Sequence, residues 1–464
     1  MTIATGVTAD TMLTELAEFA SGLRYFDLPQ EVVQDAKRRI VDTLGCGYGG
    51  LDSSPARIAR EVAATYRGSR GAAVLCGTTE ATPELAAFAN GIMVRALDFN
   101  DVNKSHRAGG HPSDVIPAVL AVADAYGASG AEALLGVVVA YQGYGAIPVH
   151  IKKRGWDQGI LVATGVAMGV GSLIGLSTRQ LVNAISLAVT PNVPLAVTRR
   201  GELSMWKNCA SAATGQNAIF AALLAERGMT GPAQAFTGTH GLVEQATGPF
   251  ELAVEPGQHG YRVQQSDIKC YPSCGSTQAP LATLIELTAG LGPDEVDTIE
   301  VRTHWDTWFE TGREPEKWDP RSRETADHSL PYVMAVALRD GTVTPASFSA
   351  EAIADPSLRD VMRRITVTED TALTALRPAE TLSDIVVTTK SGRTLEARTG
   401  VPPGDHRNPL SDVELERKFR GMAEQVASPN DCSAVLDALW ALDSAENSST
   451  VMRQWAELPA RRAT

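Results

Sequence analysis

From residue 10 to about residue 245, apolar positions recur every third or fourth residue with no stretch of strict alternation, and this spacing predicts helix after helix. Residues 11–23 are amphipathic. Pro29 opens a helix through Arg38, Arg39 and Leu44 that the glycines around Cys46 are expected to stop, and Ser54-Pro55 opens another ending near Gly68. Thr82-Pro83-Glu84 reads as an N-cap, a proline at the first helical position and an acidic first turn, leading a helix as far as Leu97. His111-Pro112-Ser113-Asp114 opens the next, over residues 115–126, which stops at Gly127. Residues 131–145, 160–176, 177–188 and 204–228 complete an all-helical unit. Residues 131–149 and 160–176 are apolar enough to resemble membrane spans, but Gln142 and Thr164 interrupt them and they barely reach spanning length, so buried core helices are expected.

After Pro249 the period changes. Residues 297–303 alternate like a strand, as do 364–368 and 385–389, the last joined through Ser391-Gly392 to 393–398 as a hairpin. Helical patterns at 279–290 and 329–339 lie between them, and from Ser411 the helical period returns at 415–426 and 432–442. The expected fold is therefore mainly α. Residues 1–264 form a large all-helical domain, residues 265–405 a smaller inserted α+β domain, and residues 406–464 rejoin the first. A length of 464 residues also favours two domains over one core. No internal repeat or low-complexity tract interrupts this pattern.

Charge narrows the partners. With 41 Lys and Arg against 54 Asp and Glu, the net charge of -13 leaves no basic face for nucleic acid. An anionic ligand would have to be met by local cations. The six cysteines are scattered, and the first ten residues carry neither a basic segment nor a long apolar run, which points to a reducing cytoplasmic setting without a membrane anchor.

Candidate chemistry concentrates in R-A-L-D-F-N-D-V-N-K-S-H-R-A-G-G-H-P-S-D, residues 95–114, a polar knot between two apolar helices. Asp98 falls at the end of one helix and His111 at the start of the next, and Gly109-Gly110 allows the backbone to turn between them. Carboxylate, imidazole and helix N–H groups then converge in a way that suits an anion; the plainer reading is a histidine cap and an Asp/Asn turn. Lys207, in S-M-W-K-N-C, lies in the first turn of a long helix, where it opposes the helix dipole and Met205 and Trp206 are expected to bury it. Lys269 stands in I-K-C-Y-P-S-C-G-S-T-Q where one domain passes into the other, and Tyr332 stands in T-A-D-H-S-L-P-Y beside Asp327 and His328. Metal is not expected: there is no H-E-x-x-H, His106 and His111 do not share a helix face, and Cys270 and Cys274 have no further cysteine partners nearby. The glycines at 169, 171 and 175 lie in a helical pattern and do not make a dinucleotide loop.

Five segments together resemble the MmgE/PrpD family: R-A-L-D-F-N-D with H-P-S-D-V-I-P-A-V-L-A, S-M-W-K-N-C-A with G-M-T-G-P, K-C-Y-P-S-C, R-E-T-A-D-H-S-L-P-Y with A-L-R-D-G, and G-D-x-x-N-P-L-S-D. They span nearly the whole chain in order. The resemblance implies a helical and an α+β domain with the active site between them, a homodimer, and no metal or organic cofactor. It also implies a lyase acting on a small di- or tricarboxylic acid, of the 2-methylcitrate dehydratase kind. The alternatives are a cis-aconitate-type decarboxylase, an epimerase of an imino or amino dicarboxylate, or a non-catalytic ligand-binding or assembly protein on the same fold. It implies that Asp98, His111, Lys207, Lys269 and Tyr332 line the site. On that footing Asp98, His111, Lys207 and Tyr332 are expected in catalysis, with His111 and Asp98 as the acid/base pair and Tyr332 as an auxiliary donor, and Lys269, His106, Arg107, Asp157, Gln278 and His328 in substrate binding. Relative to the decarboxylase pattern this chain carries two more residues between Asp98 and His111, which bring His106 and Arg107. It has Asp157 where a histidine is frequent, and no histidine near Ser276-Thr277-Gln278.

Overall fold

The computed structural model describes residues 10–77, 80–103, 109–148, 155–258, 260–377 and 379–457. The larger of two apolar cores is built by helices Thr11–Gly22, Gln30–Gly49, Pro83–Arg95, Ile116–Tyr126, Gly130–Gly145, Gly159–Leu173, Thr178–Val189 and Trp206–Glu226. Ser129 with Glu132, and Ser177 with Gln180, form capping boxes that satisfy the first N–H groups of two of them. Gly127 ends another at φ +61°. Helices Asp412–Ala423 and Pro429–Trp440 return to this core through Leu415, Phe419, Cys432 and Leu436, and the Phe419 ring meets Tyr48 edge to face at 5.8 Å.

The glycines explain how such apolar helices pack. A Cβ on Gly169 would lie 2.5 Å from the Gly136 carbonyl and 2.7 Å from the Ala140 Cβ, and one on Gly165 would lie 2.6 Å from the Ala140 carbonyl. Helices Gly130–Gly145 and Gly159–Leu173 therefore touch backbone to backbone, which no larger residue would permit. Among the described residues no helix is long and apolar enough to cross a membrane. The same reason corrects the expected stop near Cys46. The helix runs on to Gly49, because Gly47 and Gly49 are contact glycines whose Cβ atoms would meet Leu75 at 2.7 Å and Leu97 at 2.6 Å.

The smaller core lies between a four-stranded sheet and helices Gln278–Leu287 and Leu330–Asp340, and is filled by Leu281, Ile299, Val301, Val333, Val336, Ile365, Ile385 and Val387. Beyond a short pair in the helical half, β1 (Ala72–Ala73) with β2 (Glu80–Ala81), which is too short to show as an alternation, the strands are β3 (Val296–Thr303), β4 (Ile365–Glu369), β5 (Ser383–Thr389) and β6 (Thr394–Arg398). Their order is β4-β3-β5-β6, with β3 parallel to β4 and the other pairs antiparallel. A register shift between Val296 and Thr298 lets Val296, Ile299 and Val301 share one buried face. The molecule is thus mainly α, in two domains.

Candidate active site

Asp98 is the hub. The helix Pro83–Arg95 ends just before it, and its backbone adopts φ +49°, a left-handed conformation that Asp tolerates better than most residues and that is a common mark of functional positions. Its side chain is fully buried, and three cations converge on it: Arg95 Nη1 at 3.0 Å and Lys269 Nζ at 2.9 Å from Oδ1, and Lys207 Nζ at 3.6 Å from Oδ2. Lys269 also donates to the Asp98 carbonyl at 2.7 Å. Burial alone would raise the carboxyl pKa, but Lys207, Lys269, Arg95 and His328 outweigh it and hold Asp98 well below the usual carboxylate range.

Two imidazoles flank this carboxylate. His111 caps the turn Pro112–Val115, and its Nε2 lies 3.6 Å from Asp98 Oδ1. Its Nδ1 lies 2.8 Å from the Asp101 carbonyl, which can only accept, so Nδ1 carries the proton and Nε2 presents a lone pair in the neutral ring. Burial, then Arg95 and Lys269, push the His111 pKa well down and keep the ring neutral. His328 lies in the link between helices Arg323–Ala326 and Leu330–Asp340, with Nδ1 2.5 Å from Asp327 Oδ1 and 3.5 Å from Asp98 Oδ2. Burial and Lys207 oppose its protonation, yet Cys274 and Asp327 outweigh them and raise its pKa above that of a free imidazole, which favours the protonated ring. The histidines are also less covered than the cations and carboxylates between them, with side chains 11% and 16% exposed against 0% for Asp98, Lys207 and Lys269.

Lys207 and Asp327 tie the two domains together. Lys207 Nζ donates to both Asp327 oxygens, at 2.8 and 3.0 Å. Lys207 is buried by these carboxylates and not by its apolar neighbours as expected, since Met205 and Trp206 are half exposed. Nor are the helix N–H groups after His111 open to an anion: Asp101 Oδ1 accepts from Ser113 N at 2.9 Å, while Tyr141 donates to Oδ2. Behind Asp98, Arg95 bonds Asn100, which in turn reaches Ser113 and Asp114; Gln158 joins Asp114 to Ser211.

Of the residues assigned from sequence, Asp98, His111, Lys207, Lys269 and His328 come together. Tyr332 does not join them: its hydroxyl donates to the Ser347 carbonyl at 2.6 Å inside the smaller core. Gln278 is turned onto its own segment, where its Oε1 accepts from Cys270 N and Tyr271 N and its Nε2 donates to the Tyr271 carbonyl, bracing the loop after Lys269. Asp157 is paired with Arg199 at 2.9 Å. His106 and Arg107 lie outside the described residues. Arg95 and Asp327 were not assigned, although each stands within three residues of an assigned neighbour; Asp327 pairs with Lys207 120 residues away, which leaves no local signature, whereas the i,i+3 spacing of Arg95 and Asp98 was a signal that could have found Arg95.

Asp98, Asp327 and His328 place three ligand-type atoms within 4.8 Å of one another. Lys207 Nζ already bridges the two carboxylates, so a divalent ion would have to displace an ammonium and face Lys269 and Arg95 as well. The second such group, Asp267, Asp405 and His406, is satisfied internally, with Asp267 accepting from His406 and Asp405 from Arg407.

Residues 14–255 match the MmgE/PrpD N-terminal domain and residues 271–442 the MmgE/PrpD C-terminal domain. The chain is 26% identical to a cis-aconitate decarboxylase of Homo sapiens over 93% of this chain and 91% of that protein. It is 27% identical to a 2-methylcitrate dehydratase of Cupriavidus necator over 96% and 94%, and 26% identical to one of Salmonella typhimurium over 78% of each. The chain belongs to the MmgE/PrpD family.

Proposed function

We propose that this protein is a cofactor-independent lyase that removes water from a small hydroxy di- or tricarboxylic acid, in the manner of a 2-methylcitrate dehydratase, with its active site between the two domains. The observation that carries this reading is the pair of imidazoles beside the two oxygens of Asp98, His111 turned by a backbone carbonyl with its pKa pushed down and His328 paired with Asp327 with its pKa pushed up. Environments that push two titratable groups apart are what acid and base assignments need. His111 Nε2 takes the proton from the carbon next to a substrate carboxylate. That electron pair forms the new double bond as the carbon–oxygen bond breaks, and the hydroxyl leaves as water with a proton from the His328 imidazolium. His111 ends protonated and His328 neutral, and exchange with solvent restores both.

Asp98 is too weak a base to take part directly, so its role shifts from the acid/base pair to anchoring the cations. Lys269 directs two of its three N–H donors to Asp98, and Lys207 two to Asp327; the remaining donors serve a substrate carboxylate and the charge that develops on it in the transition state. Tyr332 is left with a structural role. A reducing, cytoplasmic setting fits six cysteines scattered along the chain.

The test is to incubate the purified protein with 2-methylcitrate, citrate and cis-aconitate, following alkene absorbance and carbon dioxide release together. Alkene formed from a hydroxy acid without carbon dioxide supports the reading, and His111→Ala should then lower turnover by about 10²–10⁴-fold. Carbon dioxide from cis-aconitate would replace dehydration by decarboxylation, in which only the His328 proton is delivered.

A further inference from the structure

Arg199 belongs to no part of the mechanism above, yet it is built into the same neighbourhood. It ends the turn Ala196–Arg199, its Nε bonds Asp157 Oδ1 at 2.9 Å, and its Nη1 approaches the backbone carbonyl of Lys207 at 3.5 Å. It therefore lies beside the start of the helix whose Lys207 side chain reaches Asp98. Its charge is felt by Asp114. Asp157 is 3% exposed, so the salt bridge fixes the guanidinium from behind.

The unusual feature is Nη2. Among the described residues this nitrogen is buried and has no hydrogen-bond partner, although the rest of the side chain is 17% exposed. A buried, charged donor without an acceptor is costly, and native proteins rarely keep one unless something else supplies the acceptor. With Nε on Asp157 and Nη1 only at the limit of reach of the Lys207 carbonyl, Nη2 is the donor left to offer a carboxylate a charge-assisted hydrogen bond.

We propose that Arg199, clamped by Asp157, recognises a second carboxylate of the substrate, remote from the one held by Lys207 and Lys269, and so selects di- and tricarboxylates over monocarboxylates. This rests on the lyase reading of the Asp98 cluster and adds to it the residue that sets substrate class.

Three probes test it by titration calorimetry on the full-length protein: propane-1,2,3-tricarboxylate, glutarate and butyrate. The wild type is expected to bind the first two more tightly than butyrate. Arg199→Gln should weaken the polycarboxylates by about 10–100-fold, the loss of a hydrogen bond to a charged group, while butyrate changes little. Arg199→Lys, which keeps the charge and loses the fork, should fall between and guards against a variant that fails to fold. An equal loss for all three probes, or none, would overturn the specificity role. If no probe binds the wild type, the carboxylate reading of the cluster falls, and this inference with it.

Discussion

Replacing Asp98 by Asn removes one charge from the centre of a buried cluster and leaves its shape intact. Three cations, Arg95, Lys207 and Lys269, lie within 3.6 Å of that carboxylate, and the two carboxylates left beside them, Asp327 on Lys207 and Asp114 on Arg95, cannot compensate all three. Breaking a buried pair by deleting one partner costs about 3–5 kcal/mol because the charge left behind is uncompensated. Asn tolerates φ +49° about as well as Asp, so no backbone strain is added. Asp98→Ala adds the left-handed penalty of about 1–2 kcal/mol and should be the less stable of the two.

The deficit should also depend on pH. Burial already lowers the Lys269 pKa, with Asp98 opposing, so without Asp98 it falls further. The native state then binds fewer protons than the unfolded chain between that lowered value and about 10.4, and stability rises with pH across the interval. The Asp98→Asn variant should thus recover part of its loss at alkaline pH. Urea unfolding followed by tryptophan fluorescence at neutral and alkaline pH measures both effects. A neutral-pH loss under about 1 kcal/mol, or a deficit that widens as pH rises, would refute the electrostatic account.

Other consequences are simpler to read. The pH dependence of kcat/KM should be a bell with its acid limb below about 6.5, where His111 protonates, and its alkaline limb above about 6.5, where His328 loses its proton; His328→Gln should lose the alkaline limb. The same groups set stability. The His328 contribution is present below about 6.5 and lost as pH rises through its raised value, while those of Asp98 and Asp327 are present above about 4 and lost as pH falls through their lowered values. Tyr332→Phe should cost about 1 kcal/mol by denaturant unfolding, for the lost bond to Ser347, and leave turnover unchanged; a large drop in kcat would restore Tyr332 to the site. Gly169→Ala should cost about 1–3 kcal/mol, since the new methyl meets the Gly136 carbonyl at 2.5 Å, and a neutral melting temperature would show that the two helices can separate.

The sequence discloses what is local. The helix start at Ser177, the proline start at Pro83 and the stop at Gly127 fall where residue chemistry demands them, and β3 is visible because its alternation survives around the register shift. Asp98 and His111 were legible for the same reason, as the end and the beginning of consecutive helices. The partners of the two lysines were not. Lys207 and Asp327 are 120 residues apart and Lys269 and Asp98 171, and no periodicity links them. Side-chain direction is equally hidden. Ser329 caps the helix and receives the Tyr332 N–H, which points that ring into the smaller core although its position in the chain suggests the cluster. The glycines at 45, 47 and 49 mislead because a turn glycine and a contact glycine look alike until the neighbouring helix is known.

The central claim is that two imidazoles beside one carboxylate hold opposite protonation states at neutral pH. Nitrogen NMR on protein labelled with 15N-histidine, with His111→Gln and His328→Gln to assign the signals, reads those states directly. At pH 7 the account predicts a neutral, Nδ1-protonated ring that vanishes in the His111 variant and a doubly protonated ring that vanishes in the His328 variant. Two neutral rings, or two charged ones, would contradict it.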